Sequence, residues 1–132
     1  MTEPVRGVVY VSSDQVEELH DWVIARDGGV GGLLSRPVLE SSLAQPKSAF
    51  FGIQRHRSIA DKAAAYCYFI TRNHPFADGN KRTGFVVALH FLRLNGMIGE
   101  FDDDEIVEAI RSVARGSMTL TELKAIFQRA VT

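Results

Sequence analysis

Cysteine is almost missing from this chain: Cys67 stands alone, so no disulfide framework exists and no metal set of Cys and His can be assembled around it. An excess of either charge is missing too. The 15 Lys and Arg against 16 Asp and Glu give a formal charge of -1 and a pI near 6.4, no biased field to draw nucleic acid or an anionic membrane surface. No run reaches the roughly 18 uninterrupted apolar residues that a membrane span requires. Val8 to Val11 behind Arg6 is only half an export segment, with no small-residue cleavage site after it. Repeats, low-complexity tracts and linkers are lacking as well. These absences lead us to expect a cytoplasmic protein with no direct nucleic-acid or membrane partner.

What is present fits one globular domain over residues 1–132. At 45% hydrophobic and 23% charged, the chain is long enough for one core and too short for two ordinary domains. Val5 to Val11 reads as a short strand or an extended arm. Ser12, with Gln15 reaching back, opens a helix whose stripe is Val16, Leu19, Val23 and Ile24. Gly28-Gly29-Val30-Gly31-Gly32 is loop, because four glycines in five residues leave the backbone too free to stay helical. It resembles a phosphate cradle, but no Gly-Lys-Ser or Gly-Lys-Thr follows it and no strand pattern leads in. Pro37 suits the first turn of a helix carrying Leu39 and Leu43, which Pro46 ends.

Lys47 to Ile53, with Phe50, Phe51 and Gly52, is too short and aromatic for a helix and reads as a small hairpin or flap. Ser58 with Asp61 opens a helix with Ala63, Ala64, Cys67, Tyr68 and Ile70 on its apolar face, and Asn73 and Pro75 stop it. Arg82 to Asn95 is apolar almost all round, the mark of a helix enclosed by others, and Gly96 caps it. Asp102 with Glu105, then Thr119 with Glu122, open two more helices. The expected fold is all-α: a helical bundle around a buried central helix, placed at 82–95, with a possible short strand or hairpin flap.

The chemistry concentrates in one short segment. His74, Asp78, Asn80, Lys81 and Arg82 fall in the turn between two strongly apolar helices, where Gly, Asn and Pro alone would suffice to reverse the chain. Each type has a use if the ligand is a nucleotide. A helix start offers free N–H groups and a positive dipole end to phosphate, and Gly79 lets backbone come close. Asn80 can donate from its amide, Lys81 and Arg82 supply cationic charge, and Asp78 suits a Mg²⁺ ion bridging phosphates. His74 is of the type that removes a proton from an attacking hydroxyl at neutral pH.

The ten residues His74-Pro75-Phe76-Ala77-Asp78-Gly79-Asn80-Lys81-Arg82-Thr83 resemble the signature of the Fic/Doc family: His, any, Phe, any, acidic, Gly or Ala, Asn, Gly or Lys, Arg. Leu19-His20, the Gly-rich loop and Phe91-Leu92-Arg93-Leu94-Asn95-Gly96 stand in the order and spacing of its short death-on-curing (Doc) toxins. The larger Fic branch has glycine in place of Lys81 and a second arginine in place of Phe85. The lysine form resembles the Doc branch, which transfers a phosphoryl group from ATP to a protein hydroxyl rather than AMP.

The resemblance implies a toxin of a two-gene toxin and antitoxin module, an ATP- and Mg²⁺-dependent kinase of elongation factor Tu. It casts His74 as general base, Asp78 as Mg²⁺ ligand, Gly79, Asn80, Lys81 and Arg82 as the phosphate nest, and Phe76 as the anchor of the loop. It also implies that Phe50, Phe51, Gly52 and Ile53 form a flap that aligns the target. The alternatives are an AMP transferase and a catalytically silent binding module. Many Fic proteins carry an inhibitory helix of Ser or Thr, three residues, Glu, then Gly or Asn. Ser13 and Glu17 have that spacing, but Glu18 stands where Gly or Asn belongs, so inhibition by a separate antitoxin that folds on binding is the expectation.

Other residues read more simply. His20, His56 and His90 lack such company and read as structural or solvated, Cys67 as a small buried hydrophobe, and Trp22 as a partly buried anchor. The acidic run Asp102 to Asp104 is explained by capping and the helix dipole.

Overall fold

The structure is a computed structural model that describes residues 7–132; Val5 and Arg6 lie outside them. From Ser13 onward the described residues form six α-helices: α1 Ser13–Asp27, α2 Arg36–Ala44 continuing into a 3₁₀ turn Gln45–Lys47, α3 Ile59–Asn73, α4 Asn80–Leu94, α5 Asp103–Arg115 and α6 Leu120–Ala130. Five of the six begin on a polar side chain that accepts a hydrogen bond from the third helical N–H: Ser12, Ser35, Ser58, Asp102 and Thr119. Ser12 with Gln15 and Thr119 with Glu122 form full capping boxes.

Residues 8–12 form an extended arm, not a strand. The Asn95 amide takes both the N–H and the carbonyl of Val9, at 2.8 and 2.9 Å, and Val11 N–H donates to the buried Tyr66 hydroxyl. The only sheet among the described residues is a hairpin, β1 Ala49–Phe50 against β2 Ile53–Gln54, in register Ala49 with Gln54 and Phe50 with Ile53. Its two-residue turn puts Phe51 at φ 51° and Gly52 at φ 77°, the paired positive φ that matches strand twist. Phe50, Phe51 and Ile53 are all exposed, and the two phenylalanine rings lean on each other at 4.4 Å.

The central helix is α3, not the helix at 82–95. It packs against α2, α4, α5 and α6 and buries Ala60, Ala63, Ala64, Ala65, Tyr66, Cys67 and Ile70. Its small residues let α4 approach closely. A Cβ at Gly84 would stand 2.9 Å from Thr71 Oγ1 and 3.0 Å from the Cys67 carbonyl oxygen, so α4 crosses α3 against bare backbone there. The other face of α4 stays open: Leu89 is 36% exposed, and Phe85 and Val86 are half-buried. Between this face and α1 runs a groove of about 720 Å³ that includes Leu19, Trp22, Phe85 and Leu89. Trp22, 49% exposed and so partly buried as expected, is part of that groove with Arg26 stacked on its ring.

Candidate functional site

The close crossing at Gly84 fixes where α3 ends relative to where α4 begins, and the site is built from the six residues between them and the first turn of α4. His74 ends α3 in the left-handed conformation, φ 51° and ψ 60°, a region that costs a residue with a Cβ about 1–2 kcal/mol. Phe51 and His74 are the only described non-glycine residues at positive φ. A strained histidine at a chain reversal persists only where its surroundings over-determine it.

The surroundings do so from two sides. Asn80, buried in the first turn of α4, accepts from Phe76 N–H at 3.0 Å and donates to Phe76 carbonyl at 2.9 Å. The same amide nitrogen lies 3.4 Å from Nδ1 of the exposed His74 ring, a long and weak contact. From the other side the Gly-rich segment is strapped along the loop. Leu34 N–H donates to Pro75 carbonyl (2.8 Å), Ala77 N–H to Gly32 carbonyl (3.0 Å) and Val30 N–H to Asp78 Oδ2 (3.2 Å). Gly29 is obligatory there, at φ 119° with a Cβ position only 2.7 Å from Asp78 Oδ2.

Asp78 is therefore held at every acceptor. Oδ2 takes Val30 N–H, Oδ1 takes Gly79 N–H at 2.9 Å, and its main-chain oxygen takes His20 Nε2 at 2.8 Å. The Val30 and Gly79 amides, followed by the nearby Arg82 and Lys81 charges, hold its carboxyl below the usual carboxylate range. His20 itself is 1% exposed, its ring lying flat on Phe76 with centroids 3.8 Å apart and planes 8° from parallel.

Helix α4 then starts differently from the other five. Its N-cap is Gly79 at φ 76°, with no side chain bonded to the first turn. The first intrahelical bond runs from Thr83 N–H to Gly79 carbonyl, so the amides of Asn80, Lys81 and Arg82 precede it, with Lys81 and Arg82 exposed beside them. Arg82 meets the Asp27 carboxylate only loosely, at 3.9 Å, because Asp27 is already bonded to Arg26 at 3.0 Å. Free amides, a dipole end and two exposed cations are groups that could receive an anion.

Among the described residues no group of three or more His, Cys, Asp and Glu converges to cage a metal. Asp78, one exposed carboxylate beside the open start of α4, could supply a single ligand to a Mg²⁺ ion that keeps most of its waters.

Several sequence expectations are refined here. Asn80, Lys81 and Arg82 are the first turn of α4, not part of the linking turn. Asn80's side chain is committed to Phe76 and faces His74, so only its backbone N–H stays open for a ligand. Phe76 is the buried anchor, 2% exposed. Glu17 pairs with Arg36 at 2.8 Å rather than with the α4 cations. The hairpin of Phe50, Phe51, Gly52 and Ile53 is not hydrogen-bonded to the loop. Its base is fastened by Lys62, 12 residues before His74 on the same helix and so about 18 Å away along the axis.

Lys62 is a residue that sequence reasoning missed. It is 1% exposed and donates to Gln54 Oε1, His56 carbonyl (2.7 Å) and Pro46 carbonyl (3.4 Å), closing both ends of the hairpin. A lysine one residue before Ala63 and Ala64 on the apolar face was the available signal. For His20 the signal was its place in the stripe of Val16 and Val23.

The profile of the Fic/DOC family matches residues 10–92 of this chain. The toxin Doc of Mycolicibacterium smegmatis is 33% identical over 90 residues, which cover 67% of this chain and 69% of that protein. The protein kinase doc of Escherichia phage P1 is 29% identical over 120 residues, covering 91% and 94%.

Proposed function

The chain belongs to the Fic/DOC family, and from that premise we propose that it is the toxin of a toxin and antitoxin pair, a kinase that moves the γ-phosphoryl group of ATP onto a protein hydroxyl. The observation that carries this reading is the helix start left open beside a strained histidine: five helices are closed by side chains, and the sixth presents amides, Lys81 and Arg82 next to Asp78 and His74.

In this reading the amides of Asn80 to Arg82, with Lys81 and Arg82, bind the triphosphate, and Asp78 holds Mg²⁺. Held there, the ion would supply positive charge to the phosphates during transfer. His74 accepts the proton of the target hydroxyl as its oxygen bonds to the γ phosphorus, and the bond to the β-phosphate oxygen breaks to release ADP. Asn80 and the Gly-rich strap keep that constellation in place.

A kinase is favoured over an AMP transferase by the fate of two positions. Lys81 is exposed at the nest with no ion pair among the described residues. Phe85 turns away from phosphate chemistry, its ring edge-on to Phe101 at 5.2 Å. One relative named a protein kinase supports the same choice. The target class is a translation component, elongation factor Tu in first place, which sets the site of action in the cytoplasm. No described helix is long and apolar enough to cross a membrane.

Inhibition comes from a separate antitoxin, because Glu17 is tied to Arg36. The groove between α1 and α4, with Trp22 and Leu89 open, is the apolar surface such a partner would cover.

Intact mass of purified elongation factor Tu, or of lysate proteins, after incubation with the chain, Mg²⁺ and ATP tests the proposal. A gain of about 80 Da, one phosphoryl group, is expected. A gain of about 329 Da, one AMP, would replace the kinase with an AMP transferase, and no gain on any protein would leave a silent binding module.

A further inference from the structure

We infer that His20 is a positioning residue of the phosphate site, acting through the Asp78 carbonyl and the Phe76 ring; this rests on the reading of the α4 start as that site.

Residue 20 lies on the inner face of α1, between Val16 and Val23, both fully buried. That face alone would favour an aliphatic side chain. A histidine there brings a polar ring into the interior, which costs stability unless its hydrogen bond is made. Nε2 lies 2.8 Å from the Asp78 main-chain oxygen, and since a carbonyl only accepts, Nε2 carries the hydrogen. The bond falls one residue before Gly79, where the chain turns into α4 at φ 76°.

Two planes and one bond then define the loop. Stacking on Phe76 sets the height of the ring, and the bond to Asp78 sets the direction of that peptide group. The Asp78 carbonyl points back to α1, and the Asp78–Gly79 peptide directs its N–H onto Asp78 Oδ1. The next three amides are thereby aimed into the open space before α4. Without the donor, that peptide keeps only its Gly79 N–H bond to Asp78 Oδ1, and both the carboxylate and the amides lose part of their aim. Groups that orient a ligating side chain without touching the ligand typically change affinity by about 10–100-fold when removed.

Three variants separate this role from packing. His20→Phe keeps a flat ring on Phe76 and removes the donor. His20→Gln removes the ring and keeps an N–H at nearly the same reach. His20→Asn stops one bond short of the carbonyl and makes the test if the phenylalanine variant does not fold.

Calorimetric titration with MgATP is expected to show about tenfold or weaker binding for His20→Phe with cooperative unfolding retained, and recovery to near wild type for His20→Gln. Amide exchange in the ligand-free chain gives a second readout, with Gly79 and Asn80 exchanging faster in His20→Phe while α5 and α6 amides hold. Unchanged affinity and unchanged Gly79 exchange in a folded His20→Phe would overturn the inference. A wild-type chain that binds no MgATP counts against the kinase reading instead, and the exchange data then decide on His20 alone.

Discussion

The starts of α3 and α4 lie 21 residues apart and are built on opposite rules. At α3, Ser58 accepts the Asp61 N–H at 2.9 Å, and the exposed amides of the first turn gain an internal partner. At α4 the N-cap is a glycine, and no side chain among the described residues closes the turn. A side-chain cap is worth about 1 kcal/mol, so leaving it out is a small loss of stability in exchange for donors that an outside anion can use. The difference marks which helix serves the fold and which also serves a ligand.

The contrast makes ordered predictions. His74→Ala is the largest: phosphoryl transfer falls by about 100-fold or more, the usual share of a general base, while the melting temperature changes little because alanine keeps the Cβ and with it the left-handed strain. Rates in a single-turnover assay and a melt in parallel check both halves. Next, Arg82→Ala or Lys81→Ala weakens MgATP binding by about tenfold or more, as loss of a charge-assisted contact does, with little change in stability. Equal affinity by calorimetry would mean that α4 is open without being a phosphate site.

Gly84→Val should act the other way, since a side chain at the crossing meets Cys67 and Thr71. A loss of about 2 kcal/mol in denaturant unfolding is expected from such overpacking. Ser58→Ala and Thr119→Ala each cost about 1 kcal/mol of stability and leave MgATP affinity intact, the mirror image of the Arg82 result.

The smallest effect is on pH dependence. Burial, with Lys124 and Lys62 nearby, pushes the His56 imidazole from 6.5 to about 4, and neither ring nitrogen has a hydrogen-bond partner. Between those values the unfolded chain binds the proton and the folded chain does not, so His56's contribution to stability is whole above about pH 6.5 and declines as pH falls toward 4. His56→Phe should flatten the melting-temperature profile over that range, and an unchanged slope would assign it to other groups.

Helix starts were legible in the sequence because caps are local: Ser12 with Gln15, Ser58 with Asp61 and Thr119 with Glu122 declare themselves within four residues. The motif was legible for a similar reason, its polar residues being crowded where a turn needs none. The central helix was not, because apolar content on all sides says that a helix is surrounded without saying by what. The close approach of α3 to α4 depends on Gly84 against Cys67 backbone, and Leu89 and Phe85 face a groove that no local pattern announces. Asn80's inward turn toward Phe76 and the Val30 bond to Asp78, 48 positions apart, arise from chain reversals that composition does not encode. Lys62 was hidden by its type, since a lysine in an apolar stripe normally snorkels outward, and this one finds three carbonyl acceptors inside.

The most direct measurement of the central claim, that the open start of α4 and His74 together transfer a phosphoryl group, is a paired labelling experiment. The chain and its His74→Ala variant are incubated with a target extract, Mg²⁺ and ATP labelled at either the γ or the α phosphorus. Label from the γ position on a protein, present with the wild type and absent with the variant, is the predicted result. Label from the α position, or γ label that survives His74→Ala, would contradict it.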